Sequence, residues 1–343
     1  MSIKEVITGV RKPTYIIAEI GVNHNGSKKL AFDLIDQAIK AGADAVKFQT
    51  FVSEKLVTSK AAKADYQMKT SCSEESQLEM LKKLELTFSD FAELKAYCIR
   101  KKIEFLSTPF DDESVEFLYS IGVNGFKIGS GDMNNIPFLR KIDKYQLPII
   151  LSTGMSDIEE VESSVQNIVS SPLALLHCTS EYPAPLNEVN LLAMKTMENK
   201  FNKVVGFSDH TEGNEAAISA VALGAKIIEK HFTLDRGLEG PDHRASMEPK
   251  EFKGFVNSLR QVEQLLGDGI KRIMPSEQST KSVARKSIVV ARDLKIGSIL
   301  SETDLVIKRP GTGIEPKKYY NLLGKTVIKE IKADHLLSWD DVR

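Results

Sequence analysis

Residues 15–50 read YIIAEIGVNHNGSKKLAFDLIDQAIKAGADAVKFQT, and the change of hydrophobic period inside this stretch decides the fold. YIIAEI (15–20) and AVKFQT (45–50) are nearly continuous apolar runs, as a parallel strand covered on both faces requires. Between them the period becomes helical. Leu30, Ala31, Leu34, Ile35, Ala38 and Ile39 fall on one face, with Ser27 placed as N-cap and Gly42 as C-terminal stop.

The same alternation continues outward from this unit. Six more β-rich runs follow: EFLSTPF (104–110), GFKIGSG (125–131), PIILSTG (148–154), LALLHCT (173–179), VVGFSDH (204–210) and KIIEKHF (226–232). In SDIEEVESSVQNIVSS (156–171), Ser156 and Glu159 are read as a capping box ahead of a stripe of Ile158, Val161, Val165 and Ile168. Eight strand–helix units over roughly 250 residues predict a (β/α)8 TIM barrel, whose chemistry lies at the C-terminal strand ends. A doubly wound open sheet is the structural alternative. The excursion at 60–84, KAAKADYQMKTSCSEESQLEMLKKL, reads as a lid or binding loop. The barrel is assigned to 1–268 and a polar, basic linker to 269–282. A small β-rich module, with SIVVA and the turn-rich RPGTGI, takes 283–343.

Bulk properties narrow the function. At 343 residues and 42% hydrophobic the chain builds its core without staples. A net charge of -1 supplies no global field for nucleic acid or an anionic membrane, so an anionic ligand has to be held by local charges. Cys72, Cys98 and Cys178 lack CxxC spacing, which points to a reducing compartment. With no signal-peptide core and no membrane-length apolar run, the expectation is a cytoplasmic protein. Cys98 and Cys178 read as packed core, and His335 as a surface residue without a partner. GSGDM and RPGTGI match neither GxGxxG nor a Walker pattern, which argues against nucleotide binding.

Polar residues collect at the strand ends. In order they are Glu19, Asn23 and His24; Lys47 and Gln49; Ser107 and Thr108; Lys127, Ser130 and Asp132; Ser152 and Thr153; His177 through Tyr182; Ser208 and His210; Glu229 and His231. Each has an ordinary structural reading as a cap, a snorkelling lysine or a core histidine, but their convergence on one rim points to a site. His210 and His231, on adjacent strands, suit one divalent ion. Two structural histidines, the plain alternative, require both ring nitrogens of each to be bonded within the core. Lys47 and Lys127 with Thr108, Ser130, Ser152 and Ser208 form a cradle for a small dianion carrying phosphate and carboxylate. Glu19 is the candidate acid or base.

Taken together, AEIGVNHNG, AVKFQT, STPF, FKIGSG, LSTGM, HCTSEYPAP, GFSDHT, EKHFT, GPDH and KRPGTGI resemble the sialic acid (N-acetylneuraminate) synthases and their legionaminate and pseudaminate relatives over essentially the whole chain. The resemblance implies a TIM barrel joined to an antifreeze-like SAF domain, in a domain-swapped homodimer. It also implies condensation of phosphoenolpyruvate with an N-acetylated hexose, giving a nine-carbon 2-keto acid and phosphate. On that basis His210 and His231 hold a divalent metal, Mn2+ first, with Mg2+ or Co2+ as alternatives. Lys47, Thr108, Lys127, Ser130, Ser152, Ser180, Tyr182 and Ser208 grip phosphoenolpyruvate, and Gln49, Asp132, Asp242 and a partner's Arg309 meet the sugar. Glu19 and Asp242 handle protons. Some members carry glutamate in place of Asp132 and asparagine in place of Ser180. The leading expectation is N-acetylmannosamine as the sugar. The alternative is a 2,4-diacetamido-trideoxyhexose leading to N,N'-diacetyllegionaminate or pseudaminate. A barrel metallohydrolase is disfavoured because NHN offers only His24 where an HxH pair is needed, and a non-catalytic sugar binder needs neither the histidine pair nor buried lysines.

Overall fold

The computed structural model describes residues 2–9, 13–63, 68 and 75–343. Cys72 and much of the excursion read as a lid fall outside them. The chain folds as two compact units, Met1–Gly267 and Asp268–Arg343.

The first unit is a ring of eight parallel strands: β1 (Tyr15–Gly21), β2 (Ala45–Thr50), β3 (Glu104–Pro109), β4 (Phe126–Ile128), β5 (Ile149–Ser152), β6 (Leu173–His177), β7 (Val204–Asp209) and β8 (Ile227–His231). Their order is β3-β2-β1-β8-β7-β6-β5-β4, and β3 and β4 lie side by side to complete a nearly closed barrel. The open-sheet alternative fails on the β1–β8 ladder, which aligns Glu19 with His231. The helix after β1, Lys28–Ala41, is capped by Ser27, whose hydroxyl accepts from Leu30 N, and stopped by Gly42 at φ 93°. One expected cap shifts by a residue. The helix Ile158–Gln166 starts from Asp157, whose carboxylate accepts from Glu159 N and Glu160 N in a box with Glu160, whereas Ser156 turns back to Gly154 O.

Strand alternation sets up the site. Ile16, Ala18 and Ile20 of β1 point outward into the large core between strands and helices. Tyr15 and Ile17 point inward, joining Ala45, Leu106, Ile150, Ala174, Leu176 and Ile227 in an inner apolar layer. The short N-terminal helix Ile3–Ile7 lays Ile3 and Val6 against that layer, and Ile3 N donates to Glu104 Oε2 at the start of β3 (2.8 Å). One inward step further along every strand but β6 the layer turns polar, at Glu19, Lys47, Thr108, Lys127, Ser152, Ser208 and Glu229, all buried.

The second unit carries its own core of Ile288, Val290, Leu294, Leu300, Leu305, Ile314, Leu322, Val327, Ile331, Leu337 and Val342. It is built on an antiparallel pair, β9 (Ser287–Val290) and β10 (Leu305–Lys308). The stretch read as a linker contains most of a helix, Gln278–Ala284, with no buried side chain. His335 is not partnerless: its Nε2 lies 3.1 Å from Asp341 Oδ2.

Candidate active site

The polar layer opens into a cavity of about 500 Å³ at the C-terminal ends of the strands. Its centre is a buried chain of charges. Lys47 Nζ lies 2.6 Å from Glu19 Oε1 and 3.5 Å from Glu229 Oε1, and Lys127 Nζ lies 3.3 Å from Glu229 Oε2. Lys127 donates to Ser152 Oγ (2.8 Å), and Lys47 to Thr108 Oγ1 (3.4 Å). Two buried ammonium groups are tolerable without a ligand because two carboxylates pair with them. Burial pulls Lys47 down to about 7 while Glu229 pulls the other way. Burial alone would raise the Glu229 carboxyl, but Lys127 and Lys47 outweigh it and hold it below its ordinary range.

Beside Lys127 a hydroxyl cluster closes around Gly154. Its N–H donates to Ser130 Oγ (3.0 Å), and Ser130 Oγ lies 3.3 Å from Cys178 Sγ. A Cβ on Gly154 would collide with Ser180 Oγ and stand 2.9 Å from both Ser130 Oγ and Cys178 Sγ, so glycine is what lets the three groups converge. Cys178 is packed as expected, yet it also lines the cavity, and burial raises its thiol.

The histidines stand together on the opposite arc, their ring centroids 5.7 Å apart and the Tyr182 ring tilted against His210 at 4.2 Å. His210 Nδ1 donates to Thr179 O (2.7 Å), which makes Nε2 an acceptor, and Ser208 Oγ lies 3.3 Å from it. His231 Nδ1 is buried without a hydrogen-bond partner, so the purely structural reading fails for His231, whereas both ring nitrogens of His210 have partners. Burial drops His210 to about 4 and His231 well below its usual value, making both neutral imidazoles, the ligand form. This donor set fits a divalent ion. No cluster of three or more His, Cys, Asp or Glu groups suited to a metal occurs among the described residues.

Asp242 enters the cavity on the segment after β8. Its Oδ2, with Glu19 Oε1 and Gln49 Nε2, surrounds the side of Gly21 that a Cβ would fill. Burial pushes its carboxyl up to about 6, against the pull of Lys47. The NHN motif anchors this segment. Asn23 Nδ2 donates to Phe232 O and Ser246 Oγ (both 2.9 Å), and Ser246 Oγ donates to Asp242 O (2.6 Å). Asn25 Nδ2 donates to Glu239 O (2.8 Å), and His243 Nε2 donates to Asn25 Oδ1 (3.1 Å). His24 accepts from Gly26 N (3.2 Å) and does not line the cavity.

Glu19, Lys47, Gln49, Thr108, Lys127, Ser130, Ser152, Ser180, Tyr182, Ser208, His210, His231 and Asp242 therefore share one cavity. Asp132 and Arg309 are not in its lining. Asp132 accepts from Asn135 Nδ2 (3.0 Å), and Arg309 lies in the second unit, donating to Ala284 O (3.1 Å). Sequence reasoning gave Glu229 no role, although its position two residues before His231 puts it on the same inward face. It also missed an apolar wall of Val22, Leu56, Val57, Met80, Leu81, Leu84 and Phe110.

Comparison with known proteins agrees with this fold. Residues 34–271 match the NeuB family and residues 285–343 the SAF domain. The N,N'-diacetyllegionaminic acid synthase of Campylobacter jejuni is 48% identical over 331 residues, covering 95% of this chain and 99% of that protein. The Legionella pneumophila enzyme of the same name is 44% identical, over 96% and 94% of the two chains. Human N-acetylneuraminate-9-phosphate synthase is 36% identical, over 95% and 92%. The crystal structure of N-acetylneuraminic acid synthetase from Leptospira borgpetersenii, in complex with citrate, superposes with a TM-score of 0.71 at 37% identity, over 78% of this chain and 90% of that one. No helix among the described residues is long and apolar enough to cross a membrane. A barrel whose strand ends gather paired lysines, serine hydroxyls and two neutral imidazoles, followed by a SAF module, thus belongs to the NeuB family of nonulosonic acid synthases, which form a carbon–carbon bond between phosphoenolpyruvate and a sugar.

Proposed function

We propose that the chain condenses phosphoenolpyruvate, water and a 2,4-diacetamido-2,4,6-trideoxyhexose to N,N'-diacetyllegionaminate and phosphate. This replaces N-acetylmannosamine as the leading sugar, because relatives at 48% and 44% identity are diacetyllegionaminic acid synthases whereas the human N-acetylneuraminate-9-phosphate enzyme stands at 36%. The observation that carries the chemistry is the juxtaposition, in one cavity, of an anion cradle and a pair of lone-pair-bearing histidines.

In this reading Lys127, Ser130, Ser152, Ser180 and Ser208 hold the phosphate and carboxylate, with Lys47, Thr108 and Tyr182 completing the grip. That grip presents C3 of the enol phosphate to the sugar aldehyde. A divalent ion on His210 and His231, Mn2+ by preference and Mg2+ or Co2+ otherwise, supplies Lewis-acid polarisation of the aldehyde when bound. As C3 bonds to the aldehyde carbon, C2 takes on oxocarbenium character. Water adds there, and the tetrahedral carbon expels phosphate. Glu19 and Asp242, flanking Gly21 with Gln49, hold and move the protons of that water and of the new hydroxyl. Arg309 meets the sugar's N-acetyl group from a second copy of the chain.

Phosphate release from phosphoenolpyruvate, with Mn2+ or with EDTA, tests this directly. We expect metal-dependent release with kcat/KM at least a hundredfold higher for the diacetamido sugar than for N-acetylmannosamine, about 2.7 kcal/mol of transition-state discrimination. A reversed preference restores the N-acetylneuraminate reading, and no release with any sugar sinks the synthase assignment.

A further inference from the structure

We infer that the apolar wall after β1, β2 and β3 is the specificity-determining surface of the site, and that it reads the C6 methyl group of a 6-deoxy sugar. This rests on the synthase reading above and adds which residues choose the sugar, and by what chemistry.

The cavity rim is divided by polarity. Lys127, Ser152 and Ser208, on β4, β5 and β7, give one side its ammonium and hydroxyl donors. The opposite side is supplied by Val22 after β1, Leu56 and Val57 after β2, Phe110 after β3, and Met80 and Leu81 of the helix Gln77–Leu84. These residues form one cluster with Phe51 and Leu84. Val22, Met80 and Leu81 are buried, while Leu56, Val57 and Phe110 are half-buried at the cavity. Beyond the strand-end layer of Glu19, Lys47 and Thr108, the polar groups on this side are the amides of Gln49 and Gln77, which suit an acetamido group and not a hydrophobic one.

The wall is anchored. Ser53 N donates to Glu85 Oε2 (2.9 Å), Val52 N donates to Asp111 Oδ2 (2.9 Å), and Lys82 pairs with Glu54 (2.6 Å). Met80 and Leu81 are thereby held against the turn that carries Leu56 and Val57.

An apolar surface takes a methyl group without consequence. A hydroxymethyl at the same place loses water and finds no donor or acceptor on the aliphatic side chains around it. Gln49 and Gln77 beside the wall offer amide partners to the acetamido groups of the proposed substrate, so the group left to meet the aliphatic side chains themselves is the one at C6. Apolar pockets discriminate weakly against an added hydroxyl, by tens- to hundredfold, and that scale sets the expectation.

The test uses a matched pair of 2,4-diacetamido sugars, identical except for methyl or hydroxymethyl at C5, each assayed with phosphoenolpyruvate and Mn2+. The full-length protein is expected to prefer the methyl sugar at least tenfold in kcat/KM. Val57→Thr and Leu56→Asn, which place a polar group on the wall, should each cut that preference fivefold or more while leaving the KM for phosphoenolpyruvate within twofold. Phe110→Tyr, which keeps the ring, serves as a third probe should either variant lose phosphoenolpyruvate binding. Equal use of both sugars by the unaltered protein, or a parallel loss for both sugars in the variants, overturns this inference and leaves the synthase reading standing. Absence of phosphate release with both sugars overturns the synthase reading itself, and this inference with it.

Discussion

Asp242 is the residue whose environment most directly predicts a measurement. Its carboxyl is pushed up to about 6 by burial, so it ionises within the working range of the enzyme rather than far below it. If it handles protons as proposed, kcat/KM rises with pH through about 6, and Asp242→Asn removes that limb and lowers kcat by roughly 10²–10⁴-fold. The same shift has a stability sign. Between the ordinary carboxyl value of 3.8 and about 6, the folded chain keeps a proton that the unfolded chain has lost. Asp242 therefore contributes less stability as pH rises through that window, and the melting temperature of Asp242→Asn should vary less across it. At this scale the sequence was informative where a strand fixes direction: Glu19, Lys47, Lys127, Ser208 and His231 all follow from period-2 alternation. Asp242 follows no strand, and only the resemblance of GPDH pointed to it.

Between elements, the tie from the β1 loop to the segment after β8 matters most for the site. Asn23 reaches Phe232 across 209 positions and Ser246 across 223, a span over which no local pattern in the sequence carries information. Both bonds are buried, so Asn23→Ala leaves a carbonyl and a hydroxyl short of a donor and costs on the order of 1–3 kcal/mol. The expected outcome is a tenfold or greater fall in kcat/KM for the sugar at unchanged KM for phosphoenolpyruvate, because Asp242 moves and the anion cradle does not. Equal losses for both substrates mean that the tie supports the barrel as a whole. Strand and helix placement, by contrast, was legible because each element's own residues specify it. Ser27 and Gly42 bound their helix as the sequence indicates. The cap moved from Ser156 to Asp157 because two oxygen-bearing side chains adjoin, and the aspartate is the one that accepts from both Glu159 N and Glu160 N.

At the scale of the molecule, two separate hydrophobic cores allow the barrel and the SAF module each to keep its own packing. Arg309 is exposed on the second unit, and the proposal brings it to the sugar from another copy. Arg309→Ala should then raise the KM for the sugar about tenfold, with little change in melting temperature since an exposed side chain contributes little packing. The two-unit division is visible in the sequence as a break in period near residue 268, whereas the proposed meeting of one copy's module with another's rim has no periodic trace there. Lastly, the helix Ile3–Ile7 lies at the base of the inner apolar layer, with Ile3 and Val6 buried in it. The barrel is thus a blind-ended vessel, in which every molecule arrives and departs by the same doorway. In the proposed reaction phosphate and the nine-carbon acid then have to file out past the rim before the next phosphoenolpyruvate can file in.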